Sequence, residues 1–183
     1  VPILNQQSDI SRPDLLTDPS AAAQQWWACY TLSRQEKKAM QKFEQMQLGF
    51  YAPMIEKKFR SPNGRLRKSF LPLFPNYVFL CGDEESRHKS LTSGCLSRVV
   101  PVADAEHLVA DLANIQRLIL CGLPISAEER LQPGCRVRVK NGVFKNFEGT
   151  LIRRENATRL LVSVSYMSRG ASVALDDCQV EEI

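Results

Sequence analysis

LPLFPNYVFL, residues 71–80, is the stretch on which the reading of the fold turns. Tyr77, Val78, Phe79 and Leu80 carry the β-branched and aromatic character of a buried strand, while Pro72 and Pro75 exclude helix and restrict the approach to it. Three aromatics crowd the same segment. Phe74, Tyr77 and Phe79 cannot all be placed in one core-facing row by the period-two alternation of a strand, so at least one is expected to line a groove instead of the interior.

Working outward, Trp26–Leu32 reads as a strand, followed by a helix that Ser33 and Glu36 are expected to open as a capping box and Gly49 to stop. Ala39, Phe43 and Met46 form its apolar stripe, with Lys37, Lys38 and Lys42 mostly off it. Extended segments at Phe50–Arg60 and Leu66–Pro72 meet through Ser61-Pro62-Asn63-Gly64, a type I turn signal that makes a basic hairpin. Beyond residue 80 a loop holding His88, Lys89 and Ser90 is expected to lead to a short strand at Arg98–Val102. A second helix follows, capped by Asp104, striped by Leu108, Leu112, Ile115 and Ile119, and stopped by Gly122. This uneven alternation predicts an α+β domain, an antiparallel sheet flanked by helices. From Pro133 onward the pattern changes. Val137 and Val139 alternate with Arg136, Arg138 and Lys140, Asn141-Gly142 signals a turn, and strands near 150–153, 160–165 and 172–175 predict a small SH3-like β-barrel. Gly149 is expected at a close backbone approach or bulge. The expected division is a disordered tail over 1–23, a first domain over 24–122, a flexible tether over 123–130 and the barrel over 131–183.

Composition bounds the function. With 44% hydrophobic and 24% charged residues in 183, the chain has enough apolar material for two small soluble domains. No apolar run suits a membrane span, and residues 1–25 lack the basic and apolar regions of a secretory signal. The expected location is cytoplasmic. Six cysteines, Cys29, Cys81, Cys95, Cys121, Cys135 and Cys178, are scattered without a C-x-x-C pair, which argues for free thiols and against a metal site. His88 and His107 stand apart from any cluster, and no nucleophile–base pair, phosphate-cradling glycine loop or paired carboxylates can be picked out. We therefore expect no enzyme activity, no catalytic residue, no metal and no cofactor. Charge is the positive signal. From Arg34 to Lys68 ten lysines and arginines stand against three acids, a local excess of +7, whereas the whole chain carries +4. Such a segment suits either a solvated face or contact with nucleic-acid phosphates.

Four ordered motifs, WWACYTLSRQEKK (26–38), FPNYVFL (74–80), PG-x-RVRV-x-NGVF-x-NFEG (133–149) and SRGASVALDD (168–177), together resemble the NusG family of transcription elongation factors. The resemblance runs over residues 24–183, as a NusG-type amino-terminal domain followed by a KOW domain. It implies an antiparallel sheet with helices, and a groove that docks on the clamp helices of the largest catalytic subunit of RNA polymerase and favours the closed, elongating enzyme. Matched to the motifs, the groove residues are Tyr30, Phe74, Pro75, Tyr77 and Phe79. Family members work beside the non-template DNA of the elongation complex, which makes Arg34, Gln35, Lys37, Lys38, Lys57, Lys58, Arg65 and Arg67 the candidate nucleic-acid contacts. Met167 and Arg169 match the loop that engages a small-subunit ribosomal protein or the termination factor Rho, although a phenylalanine and a glycine of that loop are here Met167 and Ser168. Housekeeping members usually have FPGYV where this chain has FPNYV, with Asn76, as in specialised RfaH- and UpxY-like paralogues. The implied function is a monomeric elongation and antitermination factor acting on selected operons. The alternatives are a general NusG coupling polymerase to ribosome or Rho, and a KOW module binding RNA or the ribosome. Some paralogues refold the second domain as a helical hairpin; the period-two pattern and Gly/Asn turns of residues 131–183 predict a stable barrel instead.

Overall fold

The computed structural model describes residues 12–130, 133–154, 157–175 and 179–183. They divide into two compact units between Glu106 and His107, within the first turn of the second long helix.

In the first unit, β1 (Trp26–Thr31), β2 (Gly49–Tyr51), β5 (Tyr77–Cys81) and β6 (Leu96–Pro101) form an antiparallel sheet in the order β2-β5-β1-β6. Strand β3 (Met54–Arg60) pairs only with β4 (Leu66–Pro72), as a separate two-stranded ribbon. Alternation sorts the sheet's side chains. Trp27, Cys29, Phe50, Val78 and Leu80 join one core cluster with Met40 and Phe43 of helix α1 (Glu36–Gln45), where each large apolar side chain contributes about 1.5–3 kcal/mol by burial. Tyr30, Tyr77 and Phe79 therefore stand on the opposite face. Phe74 precedes the strand, so period two does not govern it.

Several expectations are corrected here. Of the expected tail, residues 1–11 lie outside the described residues, but Pro13–Leu16 forms a 3-10 turn and Pro19–Ala22 one helical turn. The Trp26 indole N–H donates to the Ala21 carbonyl at 2.8 Å, and Leu16 and Ala21 are buried; the pair of prolines at the starts of these turns and the Asp18 cap on Ser20 preorganise the segment. The capping box at Ser33 does not form. Helix α1 begins at Glu36 with Gln35 as an N-cap that makes no side-chain cap bond, and the carboxylate that the box would use, that of Glu36, is turned inward to Asn76. Its left-handed stop is Gln47, not Gly49, which lies in β2. Residues His88–Ser90 are helical: α2 (Glu84–Leu91) is capped by Asp83, whose carboxylate accepts the Ser86 N–H at 2.9 Å. Glu84 pairs with Arg87 and Glu85 with Lys89 along it, so its support is capping and i,i+3/i,i+4 charge pairing, with no apolar stripe to betray it.

The second unit opens with most of helix α3 (Ala105–Leu120), whose Leu108, Val109, Leu112, Ile115 and Leu118 are buried and whose end is marked by Gly122 at φ 70°. Its strands, β7 (Ile125–Glu128), β8 (Cys135–Val139), β9 (Glu148–Arg154), β10 (Ala157–Val164), β11 (Arg169–Ala174) and β12 (Val180–Glu182), form one antiparallel sheet in the order β12-β8-β9-β10-β11-β7, a β-rich unit consistent with the expected SH3-like fold. The expected tether is thus partly structured. Residues 125–128 pair with β11 from Ile125↔Val173 to Glu128↔Gly170. Gly149 is a close approach: a Cβ there would lie 2.5 Å from the Leu161 carbonyl oxygen.

Candidate docking and nucleic-acid surfaces

The turn that delivers β5 fixes the aromatic site. The Tyr77 N–H donates to the Phe74 carbonyl across Pro75 and Asn76, and Asn76 has φ 70°. Proline at the second position and a left-handed residue at the third are the signature of a type II turn, which accepts glycine or asparagine there. This explains why FPGYV and FPNYV are interchangeable in backbone terms. The turn is clasped on both sides: the Asn76 N–H donates to Glu36 Oε1 at 2.9 Å, and the Asn76 carbonyl accepts the Thr31 N–H at 3.0 Å.

Beyond the turn, Tyr30 and Tyr77 lie opposite each other in the β1–β5 register, with ring centroids 4.8 Å apart. Tyr77 and Phe79 are stacked at 6.3 Å, and the Arg98 guanidinium sits 4.1 Å above the Tyr30 ring. Three of the five groove candidates therefore form one row, with a cation held against it. Their exposures differ. Phe74 and Phe79 are fully buried, Tyr30 and Tyr77 half-buried, and Pro75 exposed, so the accessible atoms come from the tyrosines and the proline, over a buried phenylalanine floor. Arg98 escapes a reading of the sequence because its relation to Tyr30 is a cross-strand register.

The basic candidates fall into two groups. Arg34, left-handed at φ 59°, and Lys38 are exposed near the start of α1, Lys37 is half-buried, and Gln35 is half-buried with its Oε1 enclosed and unbonded. Burial lowers the Lys37 pKa. The second group is on the β3–β4 hairpin, whose turn is closed by Gly64 N–H to Ser61 carbonyl at 2.8 Å with Gly64 at φ 74°. Register separates its members: Lys58 lies on the face of Glu56 and Lys68 and pairs with that carboxylate at 3.9 Å, while Lys57 and Arg67 lie on the other face and Arg65 in the turn. Strand ends place both groups at the end of the sheet that carries Tyr30 and Tyr77, since α1 starts against Asn76 and the hairpin leaves from Tyr51, the register partner of Phe79.

In the second unit Met167 ends a 3-10 turn (Ser165–Met167), Ser168 is left-handed at φ 51°, and Arg169 begins β11; Met167 and Arg169 are both half-buried. The described cysteines are free, and burial pushes the Cys29 thiol up to about 12 and Cys81 to about 11, which makes them poor nucleophiles. Among the described residues no cluster could hold a metal ion, and no helix is long and apolar enough to cross a membrane.

A family model described as transcription termination factor nusG matches residues 24–130. The chain belongs to the NusG family. The transcription termination/antitermination protein NusG of Escherichia coli (strain K12) is 32% identical over 130 residues, covering 65% of this chain and 70% of that protein. The protein of the same name from Vibrio cholerae is 32% identical over 131 residues, covering 66% and 70%. A crystal structure of an MjSpt4:Spt5 complex aligns with 86% of this chain and 97% of its own at 14% identity and a TM-score of 0.30, too slight a likeness to argue from. NusG-family proteins are transcription factors and not enzymes.

Proposed function

We propose that this NusG-family chain is a transcription elongation and antitermination factor that docks on the clamp helices of the largest RNA polymerase subunit through the Tyr30–Tyr77 row. The observation that carries the reading is this row, placed on the sheet face away from the core cluster and framed by Pro75 and Arg98. Half-exposed tyrosines over a buried floor offer rigid apolar area with polar tips, the chemistry of an anchor for an amphipathic helix. The cations of the hairpin and of the start of α1, at the same end of the sheet, support a reading in which they meet the phosphates of non-template DNA.

The test uses the tyrosines, because truncating buried Phe74 or Phe79 would open the core. Tyr30→Ala and Tyr77→Ala are expected each to weaken capture of a clamp-helix fragment by about 1–3 kcal/mol while the thermal unfolding midpoint shifts little. Full capture by a folded double variant would reject the docking site. We further infer, from Asn76 and the altered 165–169 loop, action on selected operons. The relatives named above carry the general NusG name, which favours the second reading of a general factor. Occupancy along the transcribed genome separates the two: a few operons for the first, most transcribed genes for the second.

A further inference from the structure

The β3–β4 ribbon has two unlike faces. One carries Met54 and Phe70, which pack at the core cluster, and the Glu56–Lys68 ion pair at 3.3 Å, with Leu66 at the tip. The other carries Ile55 and Leu71, Lys57 and Ser69, and Phe59 and Arg67 as three successive cross-strand pairs. On it Phe59 is 46% exposed and Leu71 38%. Among the described residues, neither the Lys57 nor the Arg67 side chain has an ion-pair or hydrogen-bond partner, whereas Lys58 and Lys68 both reach Glu56.

We propose that this second face is a stacking platform for single-stranded nucleic acid, with Phe59 taking a base and Lys57 and Arg67 the adjoining phosphates. The proposal rests on the reading of the hairpin cations as phosphate ligands and deepens it by naming the nucleic acid's form. Geometry supports it. Arg67 lies directly across from Phe59, about 5 Å away between strands, and Lys57 two residues along the same strand, about 7 Å away. An exposed aromatic bracketed at these distances by uncompensated cations is the combination that single strands select, since every base offers a π-face and every linkage a charge. A duplex, its bases already stacked, would use the cations and leave the phenylalanine idle. The opposite face lacks the combination, because its aromatic, Phe70, packs at the core cluster and both its lysines reach the one Glu56 carboxylate.

The experiment is an anisotropy titration of the full chain against a labelled oligothymidylate of about 12 nucleotides and a duplex of the same length, at several salt concentrations. Phe59→Ala is expected to weaken single-strand binding about tenfold and to leave duplex affinity and the salt slope unchanged, while Phe59→Trp retains binding. Lys57→Ser and Arg67→Ser should each lower the single-strand salt slope by about 0.7. No measurable single-strand binding by the parent chain, an unaltered single-strand affinity of Phe59→Ala, or an equal loss for the duplex would overturn the platform, as would Phe59-dependent self-association in sedimentation. A parent affinity without salt dependence would remove the underlying phosphate reading too, whereas a normal salt slope with Phe59 indifferent removes stacking alone. Clamp-helix capture should be indifferent to Phe59→Ala, so the docking reading stands or falls separately.

Discussion

Among the described residues each unit has one buried glutamate, and each has a left-handed turn beside its candidate contacts, at Asn76 and at Ser168; the two units use this pair differently. In the first, Glu36, 7% exposed, spends its carboxylate on a neutral partner, the Asn76 N–H, and so grips the turn itself. In the second, Glu128, 3% exposed, accepts from the Arg154 guanidinium and, at 2.6 Å, from the Ser172 hydroxyl; Arg159 in turn donates to the Ser172 hydroxyl and to Ser126. That network grips strands β7, β9, β10 and β11, while the Ser165–Ser168 turn is held from helix α3, where the Asp111 carboxylate accepts the Ser165 N–H at 2.8 Å. A buried carboxylate is costly to desolvate, so its partner shows what the local structure must hold still: the start of strand β5 in one unit, the seam between β7 and the other strands in the other.

The largest effect should come from removing Glu128. Glu128→Ala deletes a buried acceptor of two side chains, and although Arg154 can turn toward water, the Ser172 hydroxyl is fully buried and loses its acceptor. We expect the second unit to lose about 2–3 kcal/mol, and Glu128→Gln about half of that. The chain provides a convenient reporter, since both tryptophans, Trp26 and Trp27, are in the first unit. Urea unfolding followed by far-UV circular dichroism should show an earlier component while the tryptophan fluorescence midpoint holds. A fluorescence midpoint that moved equally would mean that the units unfold as one, and the comparison would break.

Glu36→Ala should cost less in stability, about 1–2 kcal/mol for the unmet Asn76 N–H, but more in function. The loosened turn precedes Tyr77 directly, so clamp-helix capture should fall although no docking side chain has changed. Glu36→Gln, whose amide oxygen can still accept, should restore most of the capture. If Glu36→Ala binds as the parent does, the clasp is merely structural and the two glutamates have the same role after all.

How far these features were legible follows from what kind of signal each leaves. LPLFPNYVFL announced its strand because proline exclusion and β-branched and aromatic residues agree locally, and the Ser61–Gly64 hairpin turn was readable for the same reason. Helix α2 was not, because EESRHKSL has no apolar period, and its capping aspartate precedes a run that looks like a solvated loop. The Ser33–Glu36 spacing matched a capping box, yet a tertiary partner forty residues away took the carboxylate. Residues 123–130 read as a tether because strand β7 has only four residues, and its claim to the sheet lies in Glu128's distant partners. At the candidate site the aromatics were named from the sequence, but their sorting into exposed rim and buried floor, and the place of Arg98 over Tyr30, depend on register.

The smallest effects concern the turns themselves, one held by Glu36 on the Asn76 N–H and the other by Asp111 on the Ser165 N–H. Asn76 and Ser168 both hold φ in the left-handed region, at 70° and 51°, and both side chains are exposed. Asparagine tolerates this conformation better than serine. Replacement by glycine relieves the strain but adds freedom to the unfolded chain, and the second term cancels roughly 0.4–1 kcal/mol of the first. For Asn76→Gly the two should nearly cancel, leaving stability within about 0.5 kcal/mol of the parent. For Ser168→Gly the relieved strain is larger, and a net gain of about 0.5 kcal/mol is expected in the second unit, read from the component of urea unfolding that tryptophan does not report. A loss on Ser168→Gly would mean that the serine side chain itself holds the turn, in addition to the Asp111 carboxylate on the Ser165 N–H.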